Sequence, residues 1–258
     1  MNTTNTLNES FQRSQWEDYA LCYDGLLHIK PYQEMLSRVA CAVAKEPFEA
    51  ILDASCGTGN FETALYETQY GNTGAVVGID SSSEMLARAK QKCGNLSMFS
   101  FYEADLNKTL GFENETFSAV VSINTLYAVE DPSYTLEEFY RVLKPGGKLF
   151  LVTPKHGYEN GLILKDHCGS SLPDDFWKDA HKSPEREECL IRKAVNDKDV
   201  IQSMLSVARH NRNIIFNTPF HFFCDEELGV LLSKVSFAVR NASPTYANQS
   251  VFIIAQKE

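Results

Sequence analysis

Between Ala50 and Val152, short and uniformly apolar runs alternate with amphipathic stretches of helical period. Ala50–Leu52, Ala75–Asp80, Met98–Glu103, Phe117–Ile123 and Leu149–Val152 have the length and apolar character of strands buried on both faces. Between them, Phe61, Ala64 and Leu65 mark one helix, and Gly71 to Gly74 read as the turn that follows it. Met85, Leu86 and Ala89 mark a second helix, capped by Ser82 or Ser83 with Glu84 in its first turn. A third starts at Pro132 and carries Leu136, Phe139, Tyr140, Val142 and Leu143, and Arg141–Gly147 reads as its stop and return turn. Strands linked each time by a helix lie parallel, so the pattern predicts a doubly wound sheet.

The flanks read differently. Trp16, Tyr19 and Tyr23 recur at helical spacing and predict one aromatic face over Trp16–Lys30. Pro31 then opens a helix with Met35, Leu36, Val39, Ala40 and Val43 inward, expected to end near Lys45 before Pro47. From Lys155 to about Phe223 nothing reads as a strand with a clear partner. Val200, Ile201, Met204, Leu205 and Ala208 make one amphipathic helix there, and the rest is polar with scattered Phe176, Trp177 and histidines. A segment this long between core elements is expected to act as a cover over a site. Asp225 should cap a helix through Leu228, Leu231, Leu232 and Val235, before two strands, Val235–Arg240 and Ser250–Ala255, joined through Pro244. The expected organisation is a flexible tail at 1–15 and one domain at 16–258, with 155–223 as an inserted helical lid.

Composition narrows the classes. A chain of 258 residues with 43% hydrophobic content can bury one large α/β core. No apolar run approaches the roughly 18 residues needed to span a bilayer, so membrane insertion is not expected. Met1–Gln15 lacks a basic stretch followed by an apolar one, and the seven cysteines are scattered without C-x-x-C spacing. Both point to reduced thiols, no metal site and a cytoplasmic location. The formal net charge is −10 and no basic cluster exceeds two adjacent residues, which disfavours nucleic acid as the main partner unless the fold assembles a local basic groove.

The candidate chemistry begins where the first strand stops. Asp53 ends it, and Gly57 and Gly59 follow, an arrangement that lets a ligand approach backbone closely. A dinucleotide fingerprint fails because its third glycine is Glu62. A carboxylate four residues before Gly57 instead suits a ligand carrying an ammonium and a sulfonium. Asp80 closes the second strand 21 residues beyond Gly59, the usual place for an acid that binds two ribose hydroxyls.

The stretch Asp53-Ala-Ser-Cys-Gly57-Thr-Gly59 resembles motif I of the class I S-adenosylmethionine (SAM) methyltransferases, and Val142-Leu-Lys-Pro-Gly-Gly-Lys-Leu149 is characteristic of the same family. The resemblance covers Trp16 to Val152 well, the final helix and strand pair loosely, and 155–223 not at all. It implies a Rossmann-like, doubly wound, mostly parallel seven-stranded sheet ending in an antiparallel pair, with SAM as donor and S-adenosylhomocysteine as product. It places cofactor contacts at Asp53, Ala54, Ser55, Cys56, Gly57 and Gly59, and at Asp80 and Ser81. It sets Met85 on the adenine, Asp105 and Leu106 at the adenine edge, and Asn124 where the fourth strand meets the methyl group. Tyr19 and Tyr23 belong to a segment that folds over the cofactor in such enzymes. Read without the resemblance, Met85 is equally a core residue, Asp105 a turn residue, and Tyr19 and Tyr23 the packed face of a helix.

Methyl transfer from a sulfonium mainly requires alignment and exclusion of water, so no catalytic signature is demanded. The stretch Asn124-Thr-Leu-Tyr127 lacks the paired prolines of amino-group methyltransferases, and no Pro-Cys pair of the cytosine C5 type occurs. The family members it resembles are the small-molecule ones, such as the ubiquinone- and menaquinone-biosynthesis methyltransferases. Tyr127 is the candidate to touch the acceptor, or else it packs beneath the lid; His156 is a candidate base, or else a solvated surface residue. The expected activity is methylation of an O, N or C atom of a small molecule by a monomer or homodimer. The alternatives are methylation of RNA or protein, and SAM binding without transfer.

Overall fold

A computed structural model of the chain describes residues 15–68, 74–217 and 220–258. The expected tail, apart from Gln15, and the turn at Gly71 lie outside the described residues. Helix α1 (residues 15–20) is followed by a 3-10 stretch at Tyr23–His28 and by α2 (Lys30–Ala44). The core then alternates β1 (Ala50–Ala54), α3 (Asn60–Glu67), β2 (Ala75–Asp80), α4 (Ser83–Cys93) and β3 (Phe99–Glu103). Next come β4 (Phe117–Ile123), α5 (Pro132–Val142) and β5 (Leu143–Pro154). After β5 the chain forms α6 (Asn160–Cys168), the short α7 (Asp174–Trp177), α8 (Pro184–Ala194) and α9 (Lys198–Asn217). It ends with α10 (Asp225–Lys234), β6 (Phe237–Thr245) and β7 (Ser250–Lys257).

The seven strands lie in the order β3-β2-β1-β4-β5-β7-β6. Neighbours from β3 to β5 are parallel, and β7 runs antiparallel to both β5 and β6. The expected doubly wound sheet with an antiparallel end is therefore the observed one. Chain order reverses beside β1, which has β2 on one side and β4 on the other, so a crevice opens beyond the carboxyl ends of these strands.

Alternate strand residues feed two cores. Leu52, Val120, Leu149 and Leu151 face α5 and α10, packing on Leu136, Phe139, Leu228 and Leu232. Ile51, Val121, Phe150 and Val152 face α2 and α3. That second core continues without a break into the segment after β5, through Ile163, Leu164, Trp177, Leu190 and Ile191. The segment at 155–223 is thus more helical and more deeply anchored than its polar sequence suggests.

Three local expectations are corrected. The aromatic stretch 16–30 is not one helix, because the chain turns at Leu21 and Cys22. It then passes so close to α9 that a Cβ on Gly25 would stand 2.3 Å from Ser203 Oγ. Leu143 begins β5 instead of ending α5, and the Lys-Pro-Gly-Gly turn sits inside the strand as a register shift against β4. Pro244 lies within β6, an edge strand where a missing N–H costs no ladder bond, and Tyr246–Gln249 make the hairpin turn.

Candidate active site

The loop from β1 to α3 is left-handed at Ser55 (φ +73°), Gly57 (+54°) and Gly59 (+80°). The Ser55 and Cys56 N–H groups both donate to the Ile79 carbonyl at 2.9 Å, drawing the loop over the end of β2. Gly57 N–H donates to Asp80 Oδ2 at 3.0 Å and Ser82 N–H to Oδ1 at 2.9 Å, so the Asp80 carboxylate is held between the loop and α4. Burial pushes its pKa up to about 6 even though these bonds pull the other way. A Cβ on Gly57 would meet only Tyr23, at 3.6 Å, whereas one on Gly59 would press on Ala89 Cα at 3.2 Å. Gly57 leaves room on the ligand side; Gly59 is required by its positive φ and by the packing of α3 on α4.

Asp53 does not face the crevice. It is 2% exposed and lies behind the loop with Glu62, which is fully buried. Burial raises both carboxyls, Asp53 further through the charge of Glu62, and Glu62 reaches about 7. Two carboxyls this deep cannot both ionise cheaply. Gly78 on β2 makes room for the pair, since a Cβ there would sit 2.8 Å from Glu62 Oε1. The Asp53 side chain, expected to meet a ligand ammonium, supports the loop from beneath and is not among the crevice walls. Ala54 and Cys56 are buried in the same way.

The crevice encloses about 570 Å³. Nine of the expected residues line it: Ser55, Gly57, Asp80, Ser81 and Met85, together with Tyr23, Asp105, Leu106 and Asn124. Met85 is also core, packed beside Tyr19 and Val207. Asp105 is also a turn residue, accepting Asn107 N–H at 2.9 Å and pairing with Lys108 at 3.1 Å. Glu103 and Glu130 join Asp80 and Asp105 on the walls against one cation, Lys108, among the described lining residues, so the crevice is mainly acidic where a dinucleotide site would need donors to phosphate. Helix α1 covers one side: Glu17 accepts the Ser83 and Glu84 N–H groups at 3.0 and 2.8 Å, which caps α4 and sets Trp16 over the opening.

A second cavity of about 140 Å³ adjoins the first, and Trp16, Tyr23 and Asn124 line both. Asn124 adopts φ +52° at the end of β4, and its Oδ1 is buried without a hydrogen-bond partner. Asn readily takes this left-handed conformation, which brings the free acceptor to the junction of the two cavities. The second chamber is walled by a girdle of rings. Trp16, Tyr19, Tyr23, Tyr32, Tyr246, Tyr158, Phe222, Tyr127 and Phe220 follow one another with centroids 4.8–6.5 Å apart. All but Tyr32 line the chamber. Burial pushes the Tyr127 hydroxyl up to about 12, and Tyr19, Tyr23, Tyr158 and Tyr246 are raised for the same reason. The tyrosines are therefore neutral donors at physiological pH. Ile163, Ile191, Met204 and Ala208 close the chamber from α6, α8 and α9.

Tyr19 and Tyr127 thus line the chamber, and His156 reaches neither cavity. Its side chain is 60% exposed, with Nε2 3.0 Å from Glu227 of α10, so the base reading has no geometry behind it. Tyr158, Tyr246, Phe220, Phe222 and Glu187 are not among the residues the sequence singles out. The aromatic run from Phe220 to Phe223 is the available signal; the others are single residues far apart in sequence. Among the described residues no group of His, Cys, Asp or Glu could hold a metal ion, and no helix is long and apolar enough to cross a membrane.

Residues 52–151 match the family model described as a methyltransferase domain. The chain is 33% identical over 138 residues to a putative methyltransferase, YqeM, of Bacillus subtilis, covering 52% of this chain and 53% of that protein. It is 40% identical over 105 residues to a demethylmenaquinone methyltransferase of Oceanobacillus iheyensis, covering 40% and 44% respectively. The chain therefore spans about half the length of the curated relatives it matches. A crystal structure of a SAM-dependent methyltransferase from Aquifex aeolicus superposes over 91% of this chain and 93% of its own, with a TM-score of 0.53 at 17% identity, a likeness of fold.

Proposed function

We propose that this chain, which carries a class I SAM-dependent methyltransferase domain, transfers the methyl group of SAM to a small acceptor held in the aromatic chamber. One observation carries the reading: the acidic crevice and the aromatic chamber meet at a shared wall of Trp16, Tyr23 and Asn124. The residues fit a sulfonium nucleoside. Four carboxylates line the crevice, Gly57 leaves the loop bare, and Asn124 brings an unpaired acceptor to the junction.

In this reading Asp80 accepts the ribose hydroxyls, held in place by Gly57 and Ser82. Asp105 and the Leu106 backbone meet the adenine edge, and Met85 packs on its face. SAM supplies a methyl group already activated on sulfur. The protein then has to orient the acceptor and keep water out, which the girdle and the helical lid at 155–223 do. Tyr127 is the girdle hydroxyl best placed to orient the acceptor, from the turn that follows Asn124. A chamber of about 140 Å³ walled by rings favours a small molecule over RNA or protein.

Calorimetry tests the reading. SAM and S-adenosylhomocysteine should bind with micromolar affinity, and NAD should give no heat. Binding of NAD without either sulfur nucleoside would overturn it.

A further inference from the structure

The chamber has a polar end that the methyl-transfer reading leaves unexplained. Glu187 of α8 is the one charged residue among its described walls, and its side chain is only 5% exposed. Arg212 of α9 binds Glu187 Oε2 from outside the lining. That guanidinium is shared, since it also stabilises the charge of Glu185, two residues earlier on the same helix. His181 stands near Glu187 and 3.8 Å from Glu159. The one charge on the described chamber wall is thus a carboxylate, paired by a single guanidinium that lies outside the lining.

The other walls suit a positive guest as well. Aromatic faces attract cations, most strongly where water is excluded, and buried phenols add neutral hydroxyl acceptors. The chamber holds about 140 Å³, close to the roughly 150 Å³ that accommodates one benzene ring. Arg212 already satisfies one oxygen of Glu187, so a neutral ring would gain nothing from the carboxylate, whereas an ammonium would add a second charge-assisted bond to it.

We propose that the acceptor is a compact organic cation, about one six-membered ring in bulk, whose ammonium end is received by Glu187 and the aromatic girdle. Glu187 is then the specificity-determining residue, and the atom that takes the methyl group lies at the opposite end, toward Asn124. The proposal rests on the methyltransferase reading, because it takes the chamber as the acceptor site.

The test uses the full chain saturated with S-adenosylhomocysteine and two matched probes, benzylamine and benzyl alcohol, followed by calorimetry. Benzylamine should bind at least about tenfold tighter, as a desolvated cation–π site with a carboxylate requires. In Glu187→Gln that preference should drop below about threefold, while S-adenosylhomocysteine affinity stays the same. Tyr158→Leu, which removes a ring and keeps the carboxylate, should weaken benzylamine more than benzyl alcohol. Equal binding of the two probes, tighter binding of the alcohol, or no binding of either to the unaltered protein would overturn the proposal. Failure of S-adenosylhomocysteine itself to bind would instead overturn the methyltransferase reading.

Discussion

The acidic crevice takes most of its walls from successive strand ends and the loops beside them, between Ser55 and Glu130. The aromatic chamber draws on residues from Trp16 to Tyr246, brought together by α1, the turn after β4, the lid and the final hairpin. The two share a wall but differ in how they are encoded. A strand end followed by a glycine loop is a local pattern that fixes its own geometry. A ring of aromatics exists only once distant elements have packed. In the proposed reading, donor recognition is built into the sheet, and acceptor recognition into what is laid over it.

The comparison can be broken most sharply at Trp177. It is fully buried in the core that joins the lid to α2 and the sheet. Trp177→Ala should cost about 3–5 kcal/mol of global stability in chemical denaturation. A change below about 1 kcal/mol would make the helices after β5 a separable cover, at odds with a core that runs unbroken from the sheet into them.

Next in size is the crevice itself. Asp80→Ala should weaken S-adenosylhomocysteine binding by about 2–3 kcal/mol, as for loss of hydrogen bonds to a charged group, without altering benzylamine binding to the protein measured with saturating nucleoside. An unchanged dissociation constant would remove Asp80 from the donor site.

The carboxyl pair beneath the loop gives a pH signature. Glu62 titrates near 7 in the folded chain and near 4.5 when unfolded, and Asp53 is raised in the same direction. The folded state therefore binds more protons between these values, and stability should fall as pH rises through that window. The loss should be at least about 3 kcal/mol. Glu62→Gln should reduce the fall of melting temperature with pH above 6, where the contribution of Asp80 fades. A wild-type profile already flat from pH 5 to 8 would contradict the assigned burial.

The smallest effect is expected at His156. Exposed and paired with Glu227 outside both cavities, it should tolerate alanine within about 0.5 kcal/mol in stability and leave nucleoside affinity unchanged. A large loss of methyl transfer in that variant would bring the lid-proximal loop back into the chemistry.

Much of the crevice is legible in the sequence, because Asp80, Ser81, Asp105 and Asn124 each follow an apolar run that declares its own strand. For two motif residues the structure adds a packing role. Asp53 and Gly59 sit where the pattern puts them, but one supports the loop from behind and the other admits α4. The lid is not legible in the same way. Helix α6 buries Gly161, Ile163 and Leu164, and Gly161 lies against the Trp177 backbone, a packing partner that no helical period announces. Pro244 and Leu143 mislead for a related reason: an edge strand and a register-shifted strand tolerate residues that interior ones exclude.

The most direct measurement is a crystal structure with S-adenosylhomocysteine at saturating concentration. The account predicts density along the crevice, with the ribose at Asp80, the adenine beside Asp105 and the sulfur at the wall formed by Trp16, Tyr23 and Asn124. Density elsewhere, or a crevice left empty while the nucleoside is bound at another surface, would contradict it.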